Sequence, residues 1–206
     1  MTGEGAAEAD IAWPPADGQR AQDPAFLLVL THGSGGGPQS ADLLAVRGAA
    51  LPLGAAVALV TQPYRVKGHR APGSVVRQDA AWIEIIDAVR AAAGPGLPLI
   101  QGGRSNGARV ACRTATATGA RAVLALAFPL HPPGHPEKSR AGELSGADTD
   151  ILVINGSRDP FGIPDRAARI RVVVLDGETH TLSRNPGLVG VTAGAWLAGL
   201  PGLGHP

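Results

Sequence analysis

Cysteine is almost absent from this chain: of 206 residues only Cys112 carries a thiol. No disulfide can form within the chain, and nothing supports a secreted, disulfide-stapled scaffold. Aromatic residues are also scarce, at 3%, so a core must be built from Ala, Val, Leu and Ile. Lysine occurs only at Lys67 and Lys138. An excess of one charge is lacking too, since 18 basic residues face 17 acidic ones. That balance offers no handle for nucleic acid, an anionic membrane or a polyacidic partner. No segment approaches the roughly 20 uninterrupted apolar residues of a membrane span. Met1–Asp10 has neither the basic nor the apolar region of a signal peptide, so a cytoplasmic location is expected.

What the chain does have is apolar residues, 44% of the total. The length suits one α/β domain over residues 1–206, since single cores commonly grow to about 250 residues before splitting. Residues 1–10 and 201–206 read as frayed ends. Short, nearly continuous apolar runs at Phe26–Thr31, Ala55–Thr61, Leu97–Gln101, Ala122–Phe128, Ile151–Asn155 and Arg171–Leu175 predict strands covered on both faces. Ile11–Trp13 suggests an edge strand. Helices are predicted at Ala41–Ala50, Val75–Ala93, Asn106–Thr118, Pro164–Ile170 and Pro186–Leu200. The alternation implies a mostly parallel sheet of about six or seven strands with helices on both faces. In the second helix Val75, Ala81, Trp82, Ile85, Ile86 and Val89 recur at helical spacing, which makes Trp82 a core residue. Cys112, on the third helix, reads as an inert buried thiol. His131–Asp150 is rich in Pro, Gly and charge and reads as a loop or short helix, too short for a cap domain. An open, lidless site is therefore expected.

Between a strand and a helix stands Gly103-Arg104-Ser105-Asn106-Gly107, a G-x-S-x-G pattern. In that context a sharp turn projects the serine hydroxyl above the sheet edge, and the helix N-terminus favours negative charge beside it. A serine nucleophile needs a base and a group to orient it. Asp159 and His180 follow the next strands, in the order Ser, acid, His, and fit those roles. Asp165, expected in a helix, and Asp176 compete for the acid position. His69, His131, His135 and His205 fit the base role less well. His131 and His135 are four apart, but Pro132, Pro133 and Gly134 exclude a helix there, so no metal site is expected.

A glycine-rich loop, Thr31-His32-Gly33-Ser34-Gly35-Gly36-Gly37, follows the first long strand. It lacks the Gly-Lys-Ser/Thr of a phosphate-binding loop, and its G-x-G-x-x-G match breaks at Pro38. The amides of Ser34 and Asn106 are the candidate donors to an oxyanion. Gly33, Tyr64 and Arg104 are candidate substrate contacts, although packing is an equal alternative for Tyr64. For Arg104 the alternative is a pair with a nearby carboxylate. His32 reads as a brace for the loop.

From Thr31 to His180 the chain resembles the small, capless α/β-hydrolase-like family related to dienelactone hydrolases, whose domains also occur in a testis-expressed protein and a histone-acetyltransferase-complex subunit. The resemblance rests on Thr31–Gly36, Gln62-Pro63-Tyr64, Gly102–Arg109, Phe128–Gly134, Gly156–Gly162 and His180. It departs at Asn106, often Met, and at Ala108, usually Gly. It implies Ser105, Asp159 and His180 as the triad. The expected function is a serine hydrolase of an ester, thioester or related acyl bond, needing no cofactor. Two alternatives are a non-catalytic interaction module on the same scaffold and an anion-binding protein that uses the loop amides.

Overall fold

The computed structural model describes residues 1–16 and 23–203. His205 and the last part of the expected 201–206 end lie outside the described residues. Seven strands form one sheet: β1 (Glu8–Ala12), β2 (Phe26–Thr31), β3 (Ala55–Thr61), β4 (Leu99–Arg104), β5 (Ala122–Leu126), β6 (Asp150–Gly156) and β7 (Ile170–Leu175). Their spatial order is β1-β3-β2-β4-β5-β6-β7. All neighbours are parallel except β1, which runs antiparallel to β3 with Asp10 opposite Leu59. The helices are α1 (Ala41–Ala50), α2 (Pro63–Val66), α3 (Val75–Ala93), α4 (Asn106–Thr118), α5 (Ala141–Ser145) and α6 (Pro186–Ala198).

The continuous apolar strands follow from two covered faces. Along β2 successive side chains point to opposite sides. Leu27 and Val29 join Trp82, Ile86 and Cys112 beneath α3 and α4. Leu28 and Leu30 join Leu43, Val46, Val189 and Leu197 beneath α1 and α6. With few aromatics available, only Trp82, Phe26 and Phe128 stand among the largest fully buried side chains beside Leu and Ile.

One polar side chain sits in the middle of the sheet. Gln101 of β4, opposite Val29 and Val123, is fully buried. Its amide donates to the Ala111 carbonyl at 2.7 Å and to Thr114 Oγ1 at 3.1 Å. Its Oε1 accepts from the Trp82 indole at 3.1 Å and from Thr118 Oγ1 at 3.2 Å. Every polar group is thus paired, which is the condition for burying an amide at low cost. The same bonds lock α3 and α4 to the central strand.

Several expected boundaries move. The edge strand is Glu8–Ala12 rather than Ile11–Trp13, so residues 8–10 are paired, and Trp13 is left exposed. β4 starts at Leu99, after Pro98, and runs on through Gly102 and Gly103 to Arg104. β5 stops at Leu126 because Ala127 turns to φ +45°. Residues 164–170 form no helix. The segment is short, follows Pro160 and Gly162, and has no apolar stripe to dock, so a helix nucleus has nothing to stabilise it. Asp165 therefore lies in an irregular connection. Val75, at the first position of α3, is exposed; the buried stripe begins at Gln78, whose amide is tied to Gln62.

Replacing Gln101→Ala leaves the buried Trp82 indole N–H without its acceptor and opens a void. The expected loss is about 2–4 kcal/mol, read from urea unfolding followed by tryptophan fluorescence.

Candidate active site

β4 and α4 meet at Ser105. The turn is tight because β2 presses against it. A Cβ on Gly103 would fall on the Thr31 carbonyl oxygen, and one on Gly107 would stand 2.6 Å from the same atom. Only glycine admits that approach. Held between them, Ser105 takes φ 53° and ψ −113°. For a residue with a side chain this backbone costs about 1–3 kcal/mol. Its own N–H is bonded to the Leu126 carbonyl at 2.9 Å, which pins the turn to β5.

Asp159 and His180 arrive from the ends of β6 and β7. His180 Nε2 lies 2.9 Å from Ser105 Oγ, and His180 Nδ1 lies 2.9 Å from Asp159 Oδ2. The two bonds are mutually consistent: Nδ1–H donates to the carboxylate, and Nε2 accepts from the hydroxyl. The Asp159 side chain is fully buried, whereas that of His180 is 18% exposed. The other carboxylate oxygen accepts the Phe161 N–H at 2.9 Å. The Phe161 ring lies against the imidazole, with centroids 4.2 Å apart. Of the competing acids, Asp176 accepts a bond from Ser157 Oγ instead. No hydrogen bond joins Asp165 to His180 among the described residues.

Two buried polar residues outside the motifs, Asn155 and Glu178, shape the loops that carry Asp159 and His180. Asn155, at the end of β6, is buried; its Oδ1 accepts from the Phe128 N–H at 2.9 Å and its amide donates to the Phe128 and Gly162 carbonyls. It staples the loops after β5 and β6 around Asp159. A polar residue closing an otherwise apolar strand was the available signal. Glu178, also buried, accepts the N–H groups of Asn185 and Arg184 at 2.5 and 3.3 Å, which shapes the loop carrying His180. Nothing in its spacing distinguished it from Asp176.

Around Ser105 lies an open cleft of about 350 Å³, walled by Gly33, Ser34, Arg104, Asn106, Arg109, Pro129, Arg140, Phe161 and His180. The chain from Ala127 to Thr149 contributes only α5, so no cap covers it. The N–H groups of Ser34 and Asn106 donate to no protein acceptor among the described residues. Gly33 is packed so close that a Cβ there would be 3.0 Å from Ser105 Cβ. His32 braces this loop: its Nδ1 bonds the Gly33 carbonyl at 2.9 Å and its Nε2 accepts the Gln62 N–H at 3.1 Å. Burial lowers its pKa, which keeps the imidazole neutral and able to do both.

Tyr64 does not line the cleft. It stands behind the loop, edge-on to His32, with its phenol raised by burial and drawn the other way by the Asn106 and Ser34 side chains. Arg104 borders the cleft but is engaged. Its Nε lies 3.1 Å from the buried carboxylate of Asp42, an ion pair without hydrogen-bond alignment, and its Nη2 donates to the His180 carbonyl at 3.1 Å. His131 and His135 bond to the Pro132 carbonyl and to Glu137. Cys112 is fully buried, and burial pushes its thiol far above its usual pKa. A larger open groove, about 470 Å³, lies near the start of β6 and β7, at the opposite edge of the sheet from Ser105.

The family described as alpha/beta hydrolase domain matches residues 24–184, and the chain belongs to that family. Among curated proteins none matches it. Solved structures do. Est1E from Butyrivibrio proteoclasticus is 14% identical, with a TM-score of 0.72 and 93% of each chain covered. A serine hydrolase without lid from Xanthomonas campestris is 19% identical, with a TM-score of 0.70, over 97% of this chain and 94% of the other. A dienelactone hydrolase from Anabaena variabilis is also 19% identical, with a TM-score of 0.70, over 96% and 93%. At these identities the likeness is one of fold.

Asp42 supplies a pH test of the bond network beside His180. Burial holds its carboxyl above the ordinary value of 3.8, against the opposing pull of the Ser40 hydroxyl and Arg104. The folded chain thus binds this proton more tightly than the unfolded one. The resulting stability is whole below pH 3.8 and is lost as the pH rises through the raised value. In urea unfolding at stepped pH, the stability of Asp42→Asn should therefore gain on that of wild type across this window. A pH-independent difference would contradict it.

Proposed function

We propose that this member of the α/β hydrolase family is a serine hydrolase cleaving an ester, thioester or related acyl bond. Ser105 is its nucleophile, His180 its base and Asp159 the group that orients the base. The observation that carries the reading is the unbroken relay from Asp159 Oδ2 to His180 Nδ1, and from His180 Nε2 to Ser105 Oγ, each step 2.9 Å, at the wall of an open cleft.

The chemistry follows from those contacts. Ser105 Oγ attacks the substrate carbonyl carbon as its proton passes to His180 Nε2. Negative charge moves to the carbonyl oxygen, where the Ser34 and Asn106 amides receive it beside the N-terminus of α4. Each such donor is typically worth about 3 kcal/mol in the transition state. The carbon–heteroatom bond then breaks, and His180 returns the proton to the leaving alcohol or thiol. In the second half a water gives a proton to His180 as its oxygen attacks the acyl carbon; the Oγ–acyl bond then breaks, releasing the acid, and His180 returns the proton to Ser105 Oγ. Asp159, buried and bonded to Phe161, holds the imidazole in the required tautomer and stabilises its charged form.

The strained serine backbone supports catalysis over a purely structural use of the scaffold, because strain of this kind is retained where a site needs it. The likeness to Est1E, to a lidless serine hydrolase and to a dienelactone hydrolase agrees with acyl chemistry. The same reading gives the enzyme a small-molecule acyl substrate, no cofactor and no nucleic-acid partner. We further propose that residues 1–206 fold as one domain, akin to the testis-expressed and acetyltransferase-subunit domains, and that it works in the cytoplasm, where a lone thiol such as Cys112 stays reduced. Among the described residues no helix is long and apolar enough to cross a membrane.

A fluorophosphonate probe should label the wild-type protein and not Ser105→Ala. On short p-nitrophenyl esters, Ser105→Ala and His180→Gln should each lower kcat by about 10³-fold or more. Asp159→Asn should do so too, with little change in KM. Labelling that persists in Ser105→Ala, or wild-type protein that neither labels nor turns over any ester, would overturn the assignment.

A further inference from the structure

Among the described residues, three guanidinium groups and no carboxylate wall the cleft at Ser105. Two of the three are neutralised within the protein. Arg104 pairs with Asp42. Arg109 pairs with both oxygens of Glu143, at 2.9 and 2.5 Å. Glu143 also lies 3.4 Å from Arg113, which is itself forked onto Asp79. Arg140 differs. It stands on the segment after β5, its backbone N–H bonded to the Leu130 carbonyl at 2.7 Å. One guanidinium N–H goes to the Pro129 carbonyl at 2.9 Å, and no carboxylate lies within 4 Å of it among the described residues. The four arginines thus meet only three carboxylates, Asp42, Glu143 and Asp79, and the surplus positive charge sits at Arg140.

We propose that the acyl substrate of this cleft carries a carboxylate and that Arg140 receives it. The inference rests on the serine-hydrolase reading above and names its substrate class. A guanidinium anchored at one nitrogen by Pro129 keeps its remaining donors in a fixed plane, which suits the two oxygens of a carboxylate. A partly buried cation with no partner is unfavourable, and an incoming anion relieves that cost. The direction of its acidity agrees: burial and the neighbouring charge of Arg109 disfavour the protonated form, and only Glu143 opposes them.

The test pairs esters that differ in one charge. Monoethyl glutarate is compared with ethyl valerate for a carboxylate on the acyl side, and 4-acetoxybenzoate with 4-methylphenyl acetate for one on the leaving group. Wild type should prefer the charged member of at least one pair by about tenfold in kcat/KM, expressed mainly in KM, as loss of a charge-assisted hydrogen bond implies. In Arg140→Gln that ratio should fall to near one, and Arg140→Lys should restore part of it. A variant that merely disturbs the loop lowers both members together and leaves the ratio standing. Turnover of the neutral esters with no preference in either pair, or a preference that survives Arg140→Gln, overturns the proposal while sparing the serine-hydrolase reading. No turnover of any of the four esters counts against that reading instead. Calorimetric titration of Ser105→Ala with monoethyl glutarate then decides the anion site by itself: binding no tighter than that of ethyl valerate overturns it.

Discussion

The Thr31 carbonyl occupies the space that side chains at positions 103 and 107 would need, and the geometry of the sheet's carboxyl-terminal edge depends on that close approach. Because β2 and α4 press together there, the chain leaves β4 through a left-handed serine rather than a relaxed turn. The hydroxyl is then raised above the edge at which β6 and β7 also end. The loops after those strands need to supply only an acid and an imidazole to complete a proton path. The glycine loop after β2 is drawn in by the same contact, which brings Gly33 against Ser105 and leaves the Ser34 and Asn106 amides without acceptors among the described residues.

A chain of buried polar contacts keeps this edge rigid. The Gln62 amide donates to Thr31 Oγ1 at 3.2 Å and its carbonyl oxygen accepts from Gln78 at 2.7 Å; Gln78 in turn meets Arg113, which reaches Asp79 and Glu143. Glu143 holds Arg109 at the cleft wall. Satisfied networks of this kind permit few alternative packings, since breaking one member strands a buried partner. They also distribute charge so that Arg104 and Arg109 are internally balanced while Arg140 is not. The site therefore combines a neutral brace, His32, with a locally positive wall.

Much of this was legible in the sequence because it rests on local pattern. Continuous apolar runs separated by helical stretches define a doubly covered parallel sheet, and five of the helix and strand spans coincide with the expectation at both ends. The G-x-S-x-G turn with an acid and a histidine after later strands defines the constellation at Ser105, Asp159 and His180, which the fold brings within hydrogen-bonding distance. Where pattern was thin, expectation drifted. Pro164-Asp165 looks like a helix start, but no apolar stripe follows. Residues 8–10 look like a frayed end, but β3 offers an unpaired edge. Tyr64 looks like a substrate contact, yet α2 seats it edge-on to His32 rather than in the wall of the cleft.

The sequence by itself determined the fold class, the order of Ser105, Asp159 and His180 after successive strands, and the absence of room for a cap, because spacing and residue type are enough for each. Only the tertiary structure decided which carboxylate reaches His180, that Asn155 and Glu178 shape the loops around it, and which arginine at the cleft lacks a carboxylate. Those outcomes depend on distances between residues remote in the chain. An ion pair or a buried hydrogen bond exists only when folding brings its two halves within about 3–4 Å, and no periodicity along the chain encodes that.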